Sequence, residues 1–166
     1  MKRAKRHESL IPLSREHHYA LMLCLRINRG LPDNSTDAGW LQSKARQASS
    51  FFETNLVMHF KAEEEILFPA MRETAQAAAL IVELRDEHRK LESLIQQLRS
   101  AEANSIDVTL RAFAALLEAH IRKEERLLFP IYESGISGPT AEEVGRKIQA
   151  LIGTALQPAN PELFEP

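Results

Sequence analysis

The sequence predicts an all-α protein, an up-down-up-down antiparallel four-helix bundle with a short C-terminal fifth helix. Three observations predict it. Long stretches are built from Leu, Ala, Glu, Arg, Lys and Gln, with most of the Gly and Pro at the ends and joints. Apolar residues recur at steps of three and four in four separate stretches. No segment alternates with period two for long enough to form a strand. A chain of 166 residues suits one domain with a core of its own.

The expected division is a flexible basic tail over 1–12, the bundle over 13–133, and a short helix with a loose tail over 134–166. The tail holds Lys2, Arg3, Lys5, Arg6 and His7, too short and too poor in aromatics to be more than a solvated segment. The first helix is expected to start at Ser14 as N-cap, to run through Leu21 and Leu25, and to stop at Gly30, ahead of Pro32. A polar loop follows over 32–37. The second helix starts near Gly39 and sets Leu41, Ala45, Ala48, Phe52, Leu56, His59, Glu63 and Ile66 on one stripe, until Pro69 kinks or ends it. The third, from Thr74 to Ala101, carries Ile81, Leu84, His88, Leu91, Ile95 and Leu98 in the same way, and Asn104 and Ser105 break it. The fourth starts near Asp107, places Leu110, Phe113, Leu117, His120, Glu124 and Leu127 inward, and ends at Pro130. Gly135, Gly138 and Pro139 make a turn, and Thr140 with Glu143 forms a capping box for the fifth helix, which runs to Ala155. Short connections make neighbouring helices antiparallel.

Two internal repeats carry the chemistry. His59 to Pro69 (HFKAEEEILFP) aligns without a gap on His120 to Pro130 (HIRKEERLLFP), with His, Glu, Phe and Pro at the same offsets. Leu13 to His17 (LSREH) likewise aligns on Leu84 to His88 (LRDEH), so the chain reads as a duplicated helical hairpin. Positions four apart lie one above the other on a helix, so His59 with Glu63, and His120 with Glu124, each aim an imidazole and a carboxylate at one point. Both pairs continue the apolar stripe of their helix and therefore face the interior, together with His88. An unpaired buried carboxylate costs several kcal/mol. A cation would neutralise these groups, and mixed imidazole and carboxylate donors suit iron, manganese or zinc.

The segments REHHYAL, HFKAEEEILFP, DEHRKL and HIRKEERLLFP resemble the successive helix signatures of haemerythrin-like (HHE) domains, over residues 10 to 133. The resemblance implies a bundle holding two non-haem irons joined by an oxo or hydroxo bridge. It carries His59, Glu63, His120, Glu124 and His88 over as metal ligands. In the first helix the family spacing of His and Leu selects His18 with Leu21, whereas the internal repeat and the polar direction of Arg15, Arg26 and Arg29 select His17. The balance falls on His18, with His17 as the alternative. The family's oxygen carriers have a second His one turn away on the third helix. Here those positions are Leu84 and Glu92, which resembles iron-centre repair and iron-sensing proteins more closely. Glu92, Glu64, Glu65 and Glu125 are expected on solvated faces, and His7 is not expected to be a ligand. Phe68 and Phe129 are expected to pack at the bundle end, and Cys24 to be a small core residue.

The expected function is reaction of the metals with O2, NO or peroxide, in sensing, detoxification or iron-centre repair. The alternatives are a regulatory module whose metal serves stability, and iron storage. A ferritin-like site is disfavoured because no His has Glu three residues before it. HExxH, a Gly-rich phosphate loop and a hydrolytic triad are also missing. A formal charge of -2 with interspersed signs gives no field that demands nucleic acid or a membrane as partner. A single cysteine and the lack of an apolar leader lead to the expectation of a reducing cytoplasm. A homodimer is compatible with the sequence.

Overall fold

The computed structural model describes residues 6–100 and 105–153, and among them every regular element is helical. A single 3-10 turn, Glu8–Leu10, leads into α1, Ile11–Asn34. Helix α2 spans 38–70, α3 is Ala75–Ser100, α4 spans 106–135 and α5 is Gly138–Ile152. α1 packs on α4, α4 on α3, and α3 on α2, which closes the ring against α1. None of these helices is long and apolar enough to cross a membrane.

The core has three layers. One apolar cluster is centred on Phe113, Phe51, Ile27 and Leu110. A second is centred on Leu13, Leu67, Phe129 and Tyr132 and takes in the buried face of α5, Ala141, Val144, Ile148 and Ile152. Between them lies a layer of buried His and Glu.

Several expected boundaries move, each for a local reason. α1 begins before Ser14, because Pro12 sits in its first turn, where a missing N–H costs nothing. The helix also runs past Gly30, which is no terminator. A Cβ on Gly30 would lie 2.2 Å from the Trp40 ring, so the glycine lets α2 approach α1. The chain leaves α1 two residues beyond Pro32, and Asp37 caps α2 by accepting from the Trp40 N–H at 2.9 Å.

The larger correction concerns the prolines. α2 contains π turns at Phe52–Leu56 and Glu63–Leu67, and α4 has one at Glu124–Leu128. In the matched pair, Phe68 N–H donates to Glu63 O and Phe129 N–H to Glu124 O, a five-residue step. The proline that follows opens a fresh helical segment, so α4 continues past Pro130 to Gly135 and α2 reaches Ala70. The inserted residue also shifts the inward register. Leu67 and Leu128 are fully buried in place of the expected Ile66 and Leu127, and Leu127 is exposed.

The N-terminal segment is packed over 6–12, not loose. Arg6 pairs with Glu125 and Glu133, and Ser9 and Leu10 are buried. α5 lies across it so closely that a Cβ on Gly145 would stand 2.9 Å from Ser9 Cα. α5 starts at Gly138 after Ser137, one turn earlier than the expected capping box, and Glu143 pairs instead with Arg146 and Lys147. Residues 1–5, the break expected at Asn104 and the helix end expected at Ala155 lie outside the described residues.

Candidate metal centre

Four helices contribute one imidazole each to the polar layer. The i, i+4 pairs His59 with Glu63 and His120 with Glu124 enter from α2 and α4, His17 from α1 and His88 from α3. All six are at most 3% exposed. The preferred first-helix residue, His18, is not among them. It is exposed, beside Tyr19 and Arg15 on a surface depression. The buried face of α1 runs Leu13, His17, Ala20, Cys24, Ile27 and Leu31, so the family spacing that pairs His18 with Leu21 selects the wrong histidine, and the internal repeat selects the buried one. Leu25 is itself exposed.

The six side chains form two groups with a shared middle. His17, His59, Glu63 and Glu124 make one, and His88, His120, Glu63 and Glu124 the other, with donor atoms in each within 4.8 Å of one another. Each carboxylate divides its oxygens between the groups. Glu63 Oε1 lies 3.2 Å from His59 Nε2 and its Oε2 lies 3.3 Å from His88 Nε2. Glu124 Oε2 lies 3.1 Å from His17 Nε2 and its Oε1 lies 3.4 Å from His120 Nε2. Within each group the two Nε2 atoms face each other at 3.0 and 3.2 Å. Adjacent ligands on metal–nitrogen bonds of roughly 2.1 Å stand roughly 3.0 Å apart, so the spacing fits a cation between them. All four oxygens of Glu63 and Glu124 are buried without a hydrogen bond, which a pair of cations would remedy.

An outer ring of four carboxylates completes the arrangement. His17 Nδ1 donates to Glu125 at 2.8 Å, His59 Nδ1 to Glu16 at 2.8 Å, His88 Nδ1 to Glu64 at 2.8 Å and His120 Nδ1 to Glu87 at 2.9 Å. An ionised carboxylate only accepts, so each ring carries its proton on Nδ1 and can turn the Nε2 lone pair inward. This orients the ligand and raises its basicity. Glu64 and Glu125 are thus part of the centre rather than solvated surface, and Glu16 and Glu87 join them without a motif of their own. The signal lay in the repeats, where Glu precedes His17 and His88, and a second Glu follows Glu63 and Glu124.

The electrostatics follow from this crowding. Burial alone would lower His59, yet Glu63 and Glu16 carry it well above the ordinary imidazole value. His17 and His88 are raised against burial in the same way, by Glu124 with Glu125 and by Glu63 respectively. Burial would raise Glu63, but His59 and His88 hold it well below the carboxylate range. Glu125 is drawn down to about 2, against burial, by His17, Ser14 and Arg6. Protons thus occupy the ground that a cation would take, so cation binding must release them.

Aromatic rings close the layer. Phe60 stacks on His88 at 3.9 Å, Phe68 lies nearly parallel to the same ring at 6.0 Å, and Phe129 stacks on His17 at 5.5 Å. Glu92 is exposed and outside both groups, as is His7, whose Nδ1 accepts from the Ser9 N–H. Cys24 is buried in the apolar cluster, and burial pushes its thiol up to about 12.

The buried clusters in this helical core suit metal binding. Comparison with known proteins agrees. A stretch 29% identical over 98 residues occurs in a protein named DNA nickase from Nostoc sp. strain PCC 7120, covering 58% of this chain and 28% of that protein. No solved structure matches the chain. The hemerythrin HHE cation binding domain matches residues 12–132, and the chain belongs to that family.

Proposed function

We propose that the chain is a non-haem di-iron protein that reacts with O2, NO or peroxide, in sensing, detoxification or iron-centre repair. The observation that carries this reading is the division of Glu63 and Glu124, each with one oxygen toward each imidazole pair. Two cations sharing those carboxylates would be held close enough to act on one small ligand. When bound, iron supplies one-electron steps at two adjacent centres and a coordination position for a diatomic molecule.

The residues of the chain do the rest. His17 and His59 would hold one ion, His88 and His120 the other, and Glu63 with Glu124 would span both. Glu125, Glu16, Glu64 and Glu87 keep the Nδ1 protons and fix the ring planes. Phe60, Phe68 and Phe129 keep water from the imidazoles. Each position is offered two imidazoles and two carboxylate oxygens, fewer than the roughly six donors of an octahedral ion, which leaves room for an exogenous ligand. Leu84 and Glu92 stand where the oxygen carriers' extra His would be, so sensing, detoxification or repair is favoured over carriage. Manganese or zinc would fit the same donors. A reducing cytoplasm is the proposed setting, with no nucleic acid or membrane partner. Nicking is not carried over from the Nostoc relative, because the shared stretch is 28% of that protein.

The test is anaerobic reconstitution with ferrous iron, followed by metal analysis and optical spectra before and after O2, NO and dithionite. Two irons per chain with reversible spectral changes are expected. Metal that never changes oxidation state would reduce its role to stability.

A further inference from the structure

The internal repeat matches the two cation positions residue for residue, so a difference between their surroundings is a difference of sequence. His59 corresponds to His120, Glu63 to Glu124, Glu16 to Glu87 and Glu64 to Glu125. Several charged positions differ between the copies, and one of them adjoins a shared carboxylate. Where α4 carries Lys123 before Glu124, α2 carries Ala62 before Glu63.

Lys123 pairs with Glu87 and with Glu83, so the carboxylate behind His120 is neutralised from the surface. Its counterpart has no such relief. Glu16, behind His59, is buried, its Oε1 has no hydrogen-bond partner, and no Lys or Arg pairs with it among the described residues. Ala62 is itself fully buried and offers no charge. The other two outer carboxylates do not undo the difference, because Glu125 behind His17 pairs with Arg6 and Glu64 behind His88 pairs with Arg89. Two carboxylates and one cation therefore stand behind His17 and His59, against two carboxylates and two cations behind His88 and His120.

A carboxylate that accepts from Nδ1–H makes the imidazole a stronger donor, and a nearby ammonium group weakens that effect. Buried charges are screened little by salt, so the imbalance reaches the centre. Building on the di-metal reading above, we infer that the two positions are unequal: Glu16 makes the His17 and His59 position the tighter one, and Lys123 makes the His88 and His120 position the one that exchanges its ion. Glu16 is a positioning residue that acts through His59, and the duplicated bundle thereby fixes an order of loading.

The test loads the protein anaerobically with ferrous iron and measures the iron retained per chain against rising concentrations of a ferrous chelator. Release in two steps is expected, with midpoints separated by roughly tenfold or more, the scale on which outer partners alter metal affinity. Glu16→Gln keeps an acceptor oxygen for His59 but removes the charge, and moves the later step toward the earlier one. Lys123→Met, at a partly exposed residue, moves the earlier step toward the later one. Release in a single step, or variants whose midpoints stay as far apart as before, would overturn the inference and leave a two-iron centre standing. Protein that takes up no iron would overturn the reading beneath it.

Discussion

The dry layer around Phe113 and the polar layer around Glu63 are carried by the same helices and are equally hidden from water, yet they contribute to stability in opposite ways. In the dry layer each buried side chain lowers the free energy by leaving water. In the polar layer four carboxylate oxygens are buried without a hydrogen bond, and two pairs of imidazole nitrogens are pressed together. Removing one partner of a buried ion pair typically costs about 3–5 kcal/mol, so such a layer is stable only while something balances it. The difference teaches that the dry layer specifies the bundle, while the polar layer makes its stability depend on a cation.

The largest effect should come from the metal itself. Iron at about 1,000 times its dissociation constant adds about 4 kcal/mol. At about 2–4 °C per kcal/mol this raises the melting temperature by about 8–16 °C. Phe113→Ala should cost about 3–5 kcal/mol in the loaded and metal-free forms alike. Thermal unfolding of both proteins in both forms checks the pair, and a Phe113 effect that changed with metal would blur the distinction between the layers.

The comparison sharpens on α1, where adjacent histidines lie on either side of the boundary. His17→Ala should weaken iron binding by more than the roughly 10–100-fold expected for loss of an outer partner, while His18→Ala should leave iron content unchanged. Metal analysis after dialysis against a weak chelator distinguishes them. Removing the shared carboxylates touches both groups at once. The double variant Glu63→Leu with Glu124→Leu should lose all iron and, because it leaves the imidazoles without the carboxylates they pair with, cost the metal-free protein about 3–5 kcal/mol, read from urea unfolding. Smallest is Gly145→Ala, at the cap of the second dry layer. Its Cβ meets Ser9 backbone, which α5 cannot relieve without shifting, so a loss of about 1–3 kcal/mol is expected, outweighing the gain in helix propensity.

The bundle was legible because periodicity reports burial directly, and His59, Glu63, His88, His120 and Glu124 were legible because they continue apolar stripes twice over. The rest was hidden for physical reasons. On α1 the family spacing of His and Leu selects His18 with Leu21, but the inward face there is continued by the small Ala20 and Cys24, which follow His17 and make a faint stripe in sequence. The helix ends were misjudged at Pro130 because a π turn prepares the chain for the proline, and no composition rule marks such a turn. The outer carboxylates were misjudged because an acidic residue next to a ligand looks the same in sequence whether it accepts from an imidazole or from water.

Diffraction from crystals grown with ferrous iron, with data collected on both sides of the iron absorption edge, would locate the ions themselves. Two anomalous peaks per chain are expected, one between His17 and His59 and one between His88 and His120, with Glu63 and Glu124 spanning them. A polar layer without peaks, or iron found only at surface carboxylates, would contradict the di-metal reading.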